Sequence, residues 1–186
     1  MYTIDILLLV IKGEGDSGLQ GRRLLQKKVY FLSEMMGINL DFSPFLYGPY
    51  SSLVAGHLNS LVSHGFLEEK VSDSSERGPF GKRRRHTYFL TNEGGEVWSD
   101  IEKVQDFETW KGALDLINKQ PISGDYNKLS IAAKAHYIVS WREKVDEFRQ
   151  VAKKYVLNMS EEDIESVFSF LTELGLVTTE KEISDV

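Results

Sequence analysis

Five basic residues lie within nine consecutive positions, separated only by Gly, Pro and Phe. A cluster this dense can contact adjacent phosphates of a nucleic acid or place an arginine in a narrow minor groove. The alternative is a solvated loop whose charges pair with nearby glutamates. Because candidate strands flank the segment, we interpret it as the tip of a basic hairpin. Its candidate DNA-binding residues are Arg77, Lys82, Arg83, Arg84 and Arg85.

The helix predicted before this hairpin is the candidate recognition helix. No Lys or Arg occurs between Tyr50 and Glu69, and arginine to guanine is the commonest base-specific contact, so strong direct readout is not expected. Asparagine can pair with adenine, and serine hydroxyls can contact phosphates. A small, weakly polar helix surface equally suits packing against another protein. The candidate contacts on this helix are Ser51, Ser52, Asn59 and Ser60.

The preceding predicted helix carries further cations near its start. Arg23 and Lys27 are four residues apart and therefore share a helix face. With Arg22 they are candidates for phosphate contacts. The alternative is that they form the ordinary exposed face of an amphipathic helix.

The sequence offers no residue set typical of catalysis or metal binding. The absence of cysteine excludes disulfides, thiolate zinc sites and a cysteine nucleophile. The four histidines are too dispersed for a metal motif, and no phosphate-cradling glycine loop or nucleophile elbow occurs. We therefore predict no catalytic residue, no metal, no cofactor and no enzymatic activity.

The periodicity of apolar residues predicts a mainly α fold with a small β-hairpin, an α+β winged helix-turn-helix with additional C-terminal helices. Gly37, Pro49 and Gly65 separate the first elements. We predict a winged-helix domain over 1–104 and a C-terminal helical extension over 105–186. The predicted helices are Ile4–Lys12, a second ending at Gly37, a third from Ser51 or Ser52 to Gly65, Val97–Lys119, Leu129–Trp141, Val145–Leu157 and Ser160–Leu174; the predicted strands are Phe66–Val71 and Arg84–Leu90.

Charge is unevenly distributed along the chain. Residues 1–90 hold eleven Lys/Arg against nine Asp/Glu, whereas residues 91–186 hold eleven against nineteen. This asymmetry suggests two surfaces with different partners, although acidic helices can also serve solubility alone. The longest early apolar run, six residues from Ile6, is too short for a bilayer span, so we expect a cytoplasmic protein without membrane contact.

Apolar stripes in the C-terminal helices predict a homodimer. Proteins that read DNA through helix-turn-helix motifs commonly use two half-sites related by a twofold axis. The alternative is that the stripes fold back onto the rest of the chain as core. The stripes are Val145, Phe148, Val151, Ala152 and Tyr155, and Ile164, Val167, Phe168 and Leu171, with Trp110 and Trp141 as possible anchors.

Two short motifs resemble a known family. The segment around Leu25-Gln26-Lys27 and the turn Tyr47-Gly48-Pro49-Tyr50-Ser51 resemble the YwgA-like family of small bacterial and archaeal proteins. They are similar, more loosely, to the SocA-type (Panacea) antitoxin domain. The resemblance covers about Ile4 to Leu67 and implies a winged-helix-like fold. For the antitoxin relatives it implies binding to a protein partner.

These features together predict a double-stranded DNA-binding protein, a transcriptional regulator whose hairpin arginines contact phosphate or the minor groove. The alternative is a protein-interaction module, an antitoxin or adaptor that uses the same fold to bind a protein. The cation-free candidate recognition helix and the acidic C-terminal half favour that alternative.

Overall fold

The computed structural model describes residues 1–78, 81–140 and 160–177. Within these residues the fold is mainly helical with a small antiparallel sheet, which confirms the predicted α+β class. The helices are α1 (Thr3–Lys12), α2 (Arg22–Met35), α3 (Ser52–Ser63), α4 (Asn92–Ile101), α5 (Phe107–Lys119), α6 (Tyr126–Ser140) and α7 (Glu161–Glu173); a 3₁₀ turn spans Gly15–Ser17.

The sheet has three strands in the order β1-β3-β2, where β1 is Leu19–Gln20, β2 is Leu67–Gly78 and β3 is Gly81–Leu90. Leu19 pairs with Tyr88 across β1 and β3, and Leu67 pairs with Leu90 across β2 and β3. The short strand β1 was not expected, because two residues are too few to show an alternating pattern.

The β2–β3 hairpin is longer than predicted. A polar loop was expected after Val71, but β2 continues to Gly78 and pairs there with Gly81. The expectation was wrong because ladder hydrogen bonds come from the backbone and tolerate Ser, Asp and Glu in a solvated two-stranded ribbon. The register shifts between Asp73 and Arg77, which marks an irregularity in the ribbon.

One hydrophobic cluster holds the described elements together. The apolar run of α1 from Ile6 to Ile11 is fully buried at its centre, as its composition requires. Leu114 of α5, Ala132 of α6 and Phe170 of α7 belong to the same cluster. The helices that follow residue 104 therefore share a core with the segment that precedes it.

The helix predicted over Val97–Lys119 is two helices. The chain turns between Ile101 and Phe107, where Val104 N–H donates to the Ile101 carbonyl and Phe107 N–H donates to the Val104 carbonyl. This turn brings Trp98 against Phe107 edge to face, with ring centroids 5.5 Å apart. Apolar spacing alone could not show the break, because the apolar periodicity continues through it.

The stripe on α7 packs inside the chain. Ser160 caps the helix, and its hydroxyl accepts from the Asp163 N–H. Ile164, Val167 and Leu171, expected at a dimer interface, are buried within the chain itself, and so is Trp110. Their assignment to the interface is therefore wrong, because the core needs these side chains. Trp141 and the helix predicted over Val145–Leu157 lie outside the described residues, and the dimer stays a prediction.

Candidate functional site

Four arginines line one cleft between the start of α2 and strand β3. Arg22 and Arg23 come from the first turn of α2, and Arg84 and Arg85 come from β3. Gly21 adopts φ = 91° immediately before the helix, a conformation that favours glycine, and directs the chain from β1 into α2. The cleft encloses about 360 Å³ and is lined by Gln20, Gly21, Arg22, Arg23, Leu24, Arg84, Arg85, His86, Gly124 and Tyr126. We call it the arginine cleft.

Arg22 is fixed by hydrogen bonds to three elements. Its Nε donates to the Tyr88 hydroxyl at 2.7 Å and its Nη1 donates to Asn59 Oδ1 on α3 at 2.9 Å. Its Nη2 lies 3.4 Å from Glu69 Oε1 on β2. Arg22 therefore links the candidate recognition helix to both strands of the hairpin.

Glu69 is the carboxylate of this network. Its Oε1 accepts from the Tyr88 hydroxyl and lies 2.9 Å from His86 Nδ1. Burial opposes ionisation, but hydrogen bonds from Tyr88, His86 and Arg22 outweigh it and hold the pKa of Glu69 below its usual value. Glu69 is therefore an anion at neutral pH and balances part of the positive charge.

Arg23 is held by aromatic rings instead of a carboxylate. Its guanidinium carbon lies 3.9 Å from the Tyr47 ring centroid and 5.9 Å from that of Tyr126. Stacking against Tyr47 restrains the group while leaving its N–H edges free to donate. Tyr47 and Tyr126 were not predicted as site residues, because they are far from Arg23 in sequence and share no motif with it.

Arg84 and Arg85 are exposed on β3, opposite Asp73 and Ser72 in the strand register. In the described part of the chain, no carboxylate forms an ion pair with Arg23, Arg84 or Arg85. The cleft therefore concentrates three unpaired guanidinium groups beside the Arg22–Glu69 pair. Arg77, Lys82 and Arg83 lie further along the same hairpin, where the structure describes the backbone alone.

The candidate contacts on α3 divide between surface and interior. Ser52, Asn59 and Ser60 are exposed, and Asn59 accepts from Arg22. Ser51 is fully buried, where its hydroxyl accepts from the Val54 N–H at 3.1 Å and donates to the Leu40 carbonyl at 2.6 Å. The prediction that Ser51 contacts DNA is wrong, because this residue is the N-cap of α3.

Lys27 is also withdrawn from the surface. It is only 3% exposed, and its Nζ donates to the Pro49 carbonyl at 2.6 Å. Burial, and then the nearby Arg23 charge, lower its pKa to about 8. The prediction of a phosphate contact is wrong for Lys27, because α2 packs against α1, α3, α5 and α6 and has no exposed face at this turn.

The two sequence motifs contact each other. Gln26 Nε2 donates to the Ser51 carbonyl at 2.9 Å, and its Oε1 accepts from the Ser51 N–H at 3.0 Å. Gly48 has φ = 87°, and a Cβ there would lie 3.0 Å from the Ser130 carbonyl oxygen. Gln26 thus anchors the turn, and the Tyr30 hydroxyl pairs with His136. The motifs therefore have a structural role in this chain.

Comparison with known proteins adds no assignment. No family model matches the chain, and no curated protein sequence matches it. The resemblance to the YwgA-like family and to the SocA-type domain stays a prediction. Of the helices in residues 1–78, 81–140 and 160–177, none has the length and hydropathy to cross a bilayer.

Proposed function

We propose that this chain is a cytoplasmic, double-stranded DNA-binding protein with a winged helix-turn-helix fold, of the transcriptional regulator class. Its element order is α1, β1, α2, α3, β2, β3, and β3 pairs with both β1 and β2. This order supports the proposal, because in such folds the helix after the turn enters a groove and the hairpin lies beside it. Fold alone does not establish function, so the site must carry the argument.

The observation that carries the proposal is the arginine cleft next to α3. Arg23 on α2 and Arg84 and Arg85 on β3 form no ion pair with a described carboxylate, and Arg22 contacts Asn59 on α3 itself. Guanidinium groups without a carboxylate partner are suited to phosphate oxygens, which they can bind through two parallel hydrogen bonds. A duplex docked on α3 would thus meet cations on the flanking strand.

The exposed surface of α3 indicates how sequence would be read. It presents Ser52, Gly56 and Ser60, small residues that allow close approach to a groove but make few base-specific contacts. Asn59 is already engaged by Arg22. We therefore propose binding that depends mainly on phosphate contacts and on DNA shape, with a steep dependence on salt.

Fluorescence anisotropy with a labelled duplex tests this proposal across a salt series. The variant Arg84→Gln/Arg85→Gln should bind at least about tenfold more weakly at low salt, and its log–log salt slope should fall by roughly two. The matched control is Lys103→Gln/Lys111→Gln, which removes the same charge from exposed positions on α5 and the turn before it. Failure of the wild type to bind any duplex at low salt would reject the proposal, as would equal binding by the cleft variant.

A second candidate function, binding to a protein partner, is favoured by one observation. Three consecutive apolar residues before α3 are exposed: Phe45 at 60%, Leu46 at 73% and Tyr47 at 46%. Leu53 on α3 is exposed as well. Contiguous exposed apolar groups of this kind are typical of interaction surfaces. They correspond to the antitoxin or adaptor alternative.

Affinity capture from nuclease-treated extract separates the two functions. A stoichiometric protein that is retained by the wild type and lost by Phe45→Ser/Leu46→Ser would support the interaction module. Val104→Ser is the matched control, since Val104 is an exposed apolar residue on the α4–α5 turn. Equal retention by all three proteins would reject this surface as the docking site.

A further inference from the structure

We propose that the arginine cleft also binds a small phosphorylated ligand with two or more negative charges, and that this ligand competes with duplex DNA. Ligand binding stands on the cleft alone, whereas the competition rests on the proposed function. Phosphate oxygens are the shared chemistry, and they can come from a nucleic-acid backbone or from a free small molecule. The geometry favours the second source as an occupant in its own right.

The first argument is charge. The cleft is lined by four arginines; Glu69 pairs with Arg22, and Asp73 lies opposite Arg84 in the strand register, so the arginines outnumber these two carboxylates. A backbone phosphodiester carries a single negative charge, which is less than Arg23, Arg84 and Arg85 together can balance. A phosphomonoester has a second pKa near 6 and carries close to two charges at neutral pH, and a pyrophosphate group carries more. The uncompensated charge therefore matches a polyanion better than one diester.

The second argument is shape. The four arginines come from two elements, α2 and β3, that both line the cleft. The enclosed volume of about 360 Å³ lies within the range of small-molecule pockets. Gly124 and Tyr126, at the start of α6, complete the lining of the cleft.

The third argument is preorganisation. Arg22 is held by Tyr88 and Asn59, and Arg23 is stacked on Tyr47, before any ligand arrives. Side chains that are already ordered lose little conformational entropy on binding, which leaves more of the interaction energy for affinity. A surface that merely keeps a protein soluble has no need for guanidinium groups fixed by aromatic and hydrogen-bonding partners.

The start of α2 adds donors to the same cleft. No side chain caps the helix, and its first turn contains no acidic residue. Its first amide N–H groups therefore lack a side-chain acceptor, and the positive end of the helix dipole lies beside the arginines. These donors reinforce the cluster of guanidinium groups, which remains the principal argument.

Isothermal titration with inorganic pyrophosphate tests ligand binding without DNA. The wild type should show saturable 1:1 binding with a Kd of about 1 mM or lower. Arg85→Gln and Arg23→Gln should each weaken it by about tenfold or more, because each removes a charged donor. Lys111→Gln should bind like the wild type. The proposal would be overturned if pyrophosphate gave no more saturable binding than sodium chloride at matched ionic strength. It would also be overturned if Lys111→Gln weakened binding as much as the two cleft variants do.

A competition arm distinguishes the source of the phosphate. Pyrophosphate should displace a labelled duplex at concentrations near its own Kd. Sodium chloride at the same ionic strength should leave the duplex bound. If pyrophosphate saturates the cleft but the wild type binds no duplex, the ligand site stands and the DNA proposal fails. If the duplex binds and pyrophosphate does not saturate, the cleft serves the nucleic acid alone and this inference fails.

Discussion

The first and second turns of α2 have similar composition but different environments. Arg22 and Arg23 lie at the rim of the cleft, where their N–H groups face solvent or neighbouring polar side chains. Gln26, Lys27 and Lys28 follow after two leucines and are all buried. Each turn carries two cations, yet only those of the first turn are open to a ligand.

The difference shows that the environment of a cation decides its role. Each buried polar group of the second turn has a partner within the chain: Gln26 pairs with the Ser51 backbone, Lys27 with the Pro49 carbonyl, and Lys28 with Glu14 and Asn118. Burying such groups without partners costs free energy, whereas a fully paired network favours one arrangement of the core. We therefore expect the second turn to control stability and the first turn to control binding.

The largest expected effect is at Lys28. Lys28→Met leaves Glu14 and Asn118 without their partner. Because Lys28 is buried but Glu14 is partly exposed to water, the free energy of unfolding should fall by about 3 kcal/mol, the lower end of the range for a buried pair. Urea denaturation measures this change. Lys111→Met breaks an exposed pair with Asp115 and should leave the free energy of unfolding almost unchanged. Similar losses in the two variants would contradict the structural role of Lys28.

Substitution of Gln26 should have the second largest effect on the free energy of unfolding. Gln26→Leu removes both hydrogen bonds to the Ser51 backbone and leaves a buried donor and a buried acceptor, which should cost about 2–3 kcal/mol. Gln26→Glu keeps the acceptor for the Ser51 N–H but loses the donor to its carbonyl. Urea denaturation should also show a loss for this variant, since the carbonyl then faces a carboxylate. Wild-type stability in both variants would show that the turn is held by other contacts.

Much of the fold could be predicted from the sequence, because it depends on local patterns. The capping box at Ser160 and Asp163 is readable from a few adjacent residues. The arginines of the cleft were identified by type, but their convergence depends on the pairing of β1 with β3, and β1 is too short to predict. The burial of Lys27 and Ser51 could not be predicted, since it depends on the turn before α3 packing onto α2, where Lys27 bonds the Pro49 carbonyl and Gln26 bonds the Ser51 backbone.

Lys27 should make stability depend on pH in a defined window. Its pKa is about 8 in the folded chain, against an ordinary value of 10.5. Between these values the unfolded chain binds more protons, so stability rises with pH as the burial penalty of the charge disappears. Relative to Lys27→Met, the wild type should gain about 2 kcal/mol between pH 8 and pH 10.

Urea denaturation at several pH values measures this gain. Burial also raises the pKa of Tyr88, so above pH 10 the unfolded tyrosine loses its proton first and stability falls in both proteins. The difference between the two proteins isolates the effect of Lys27. If the free energies of unfolding of the wild type and Lys27→Met differed by a constant amount across the range, the pKa of Lys27 would not be lowered in the folded chain.

The smallest expected effect on stability is in the arginine cleft. Arg84→Gln/Arg85→Gln removes two exposed side chains that form no ion pair with the described residues, so the free energy of unfolding should change by less than about 0.5 kcal/mol. A small gain is the expected sign, because the variant relieves repulsion among the four arginines that line the cleft. The same protein should lose duplex and pyrophosphate binding, so urea denaturation and anisotropy on one preparation separate the role of the cleft from that of the second turn of α2. A stability loss as large as that of Gln26→Leu would mean that the cleft arginines are structural, and the contrast between the cleft and the second turn would then disappear.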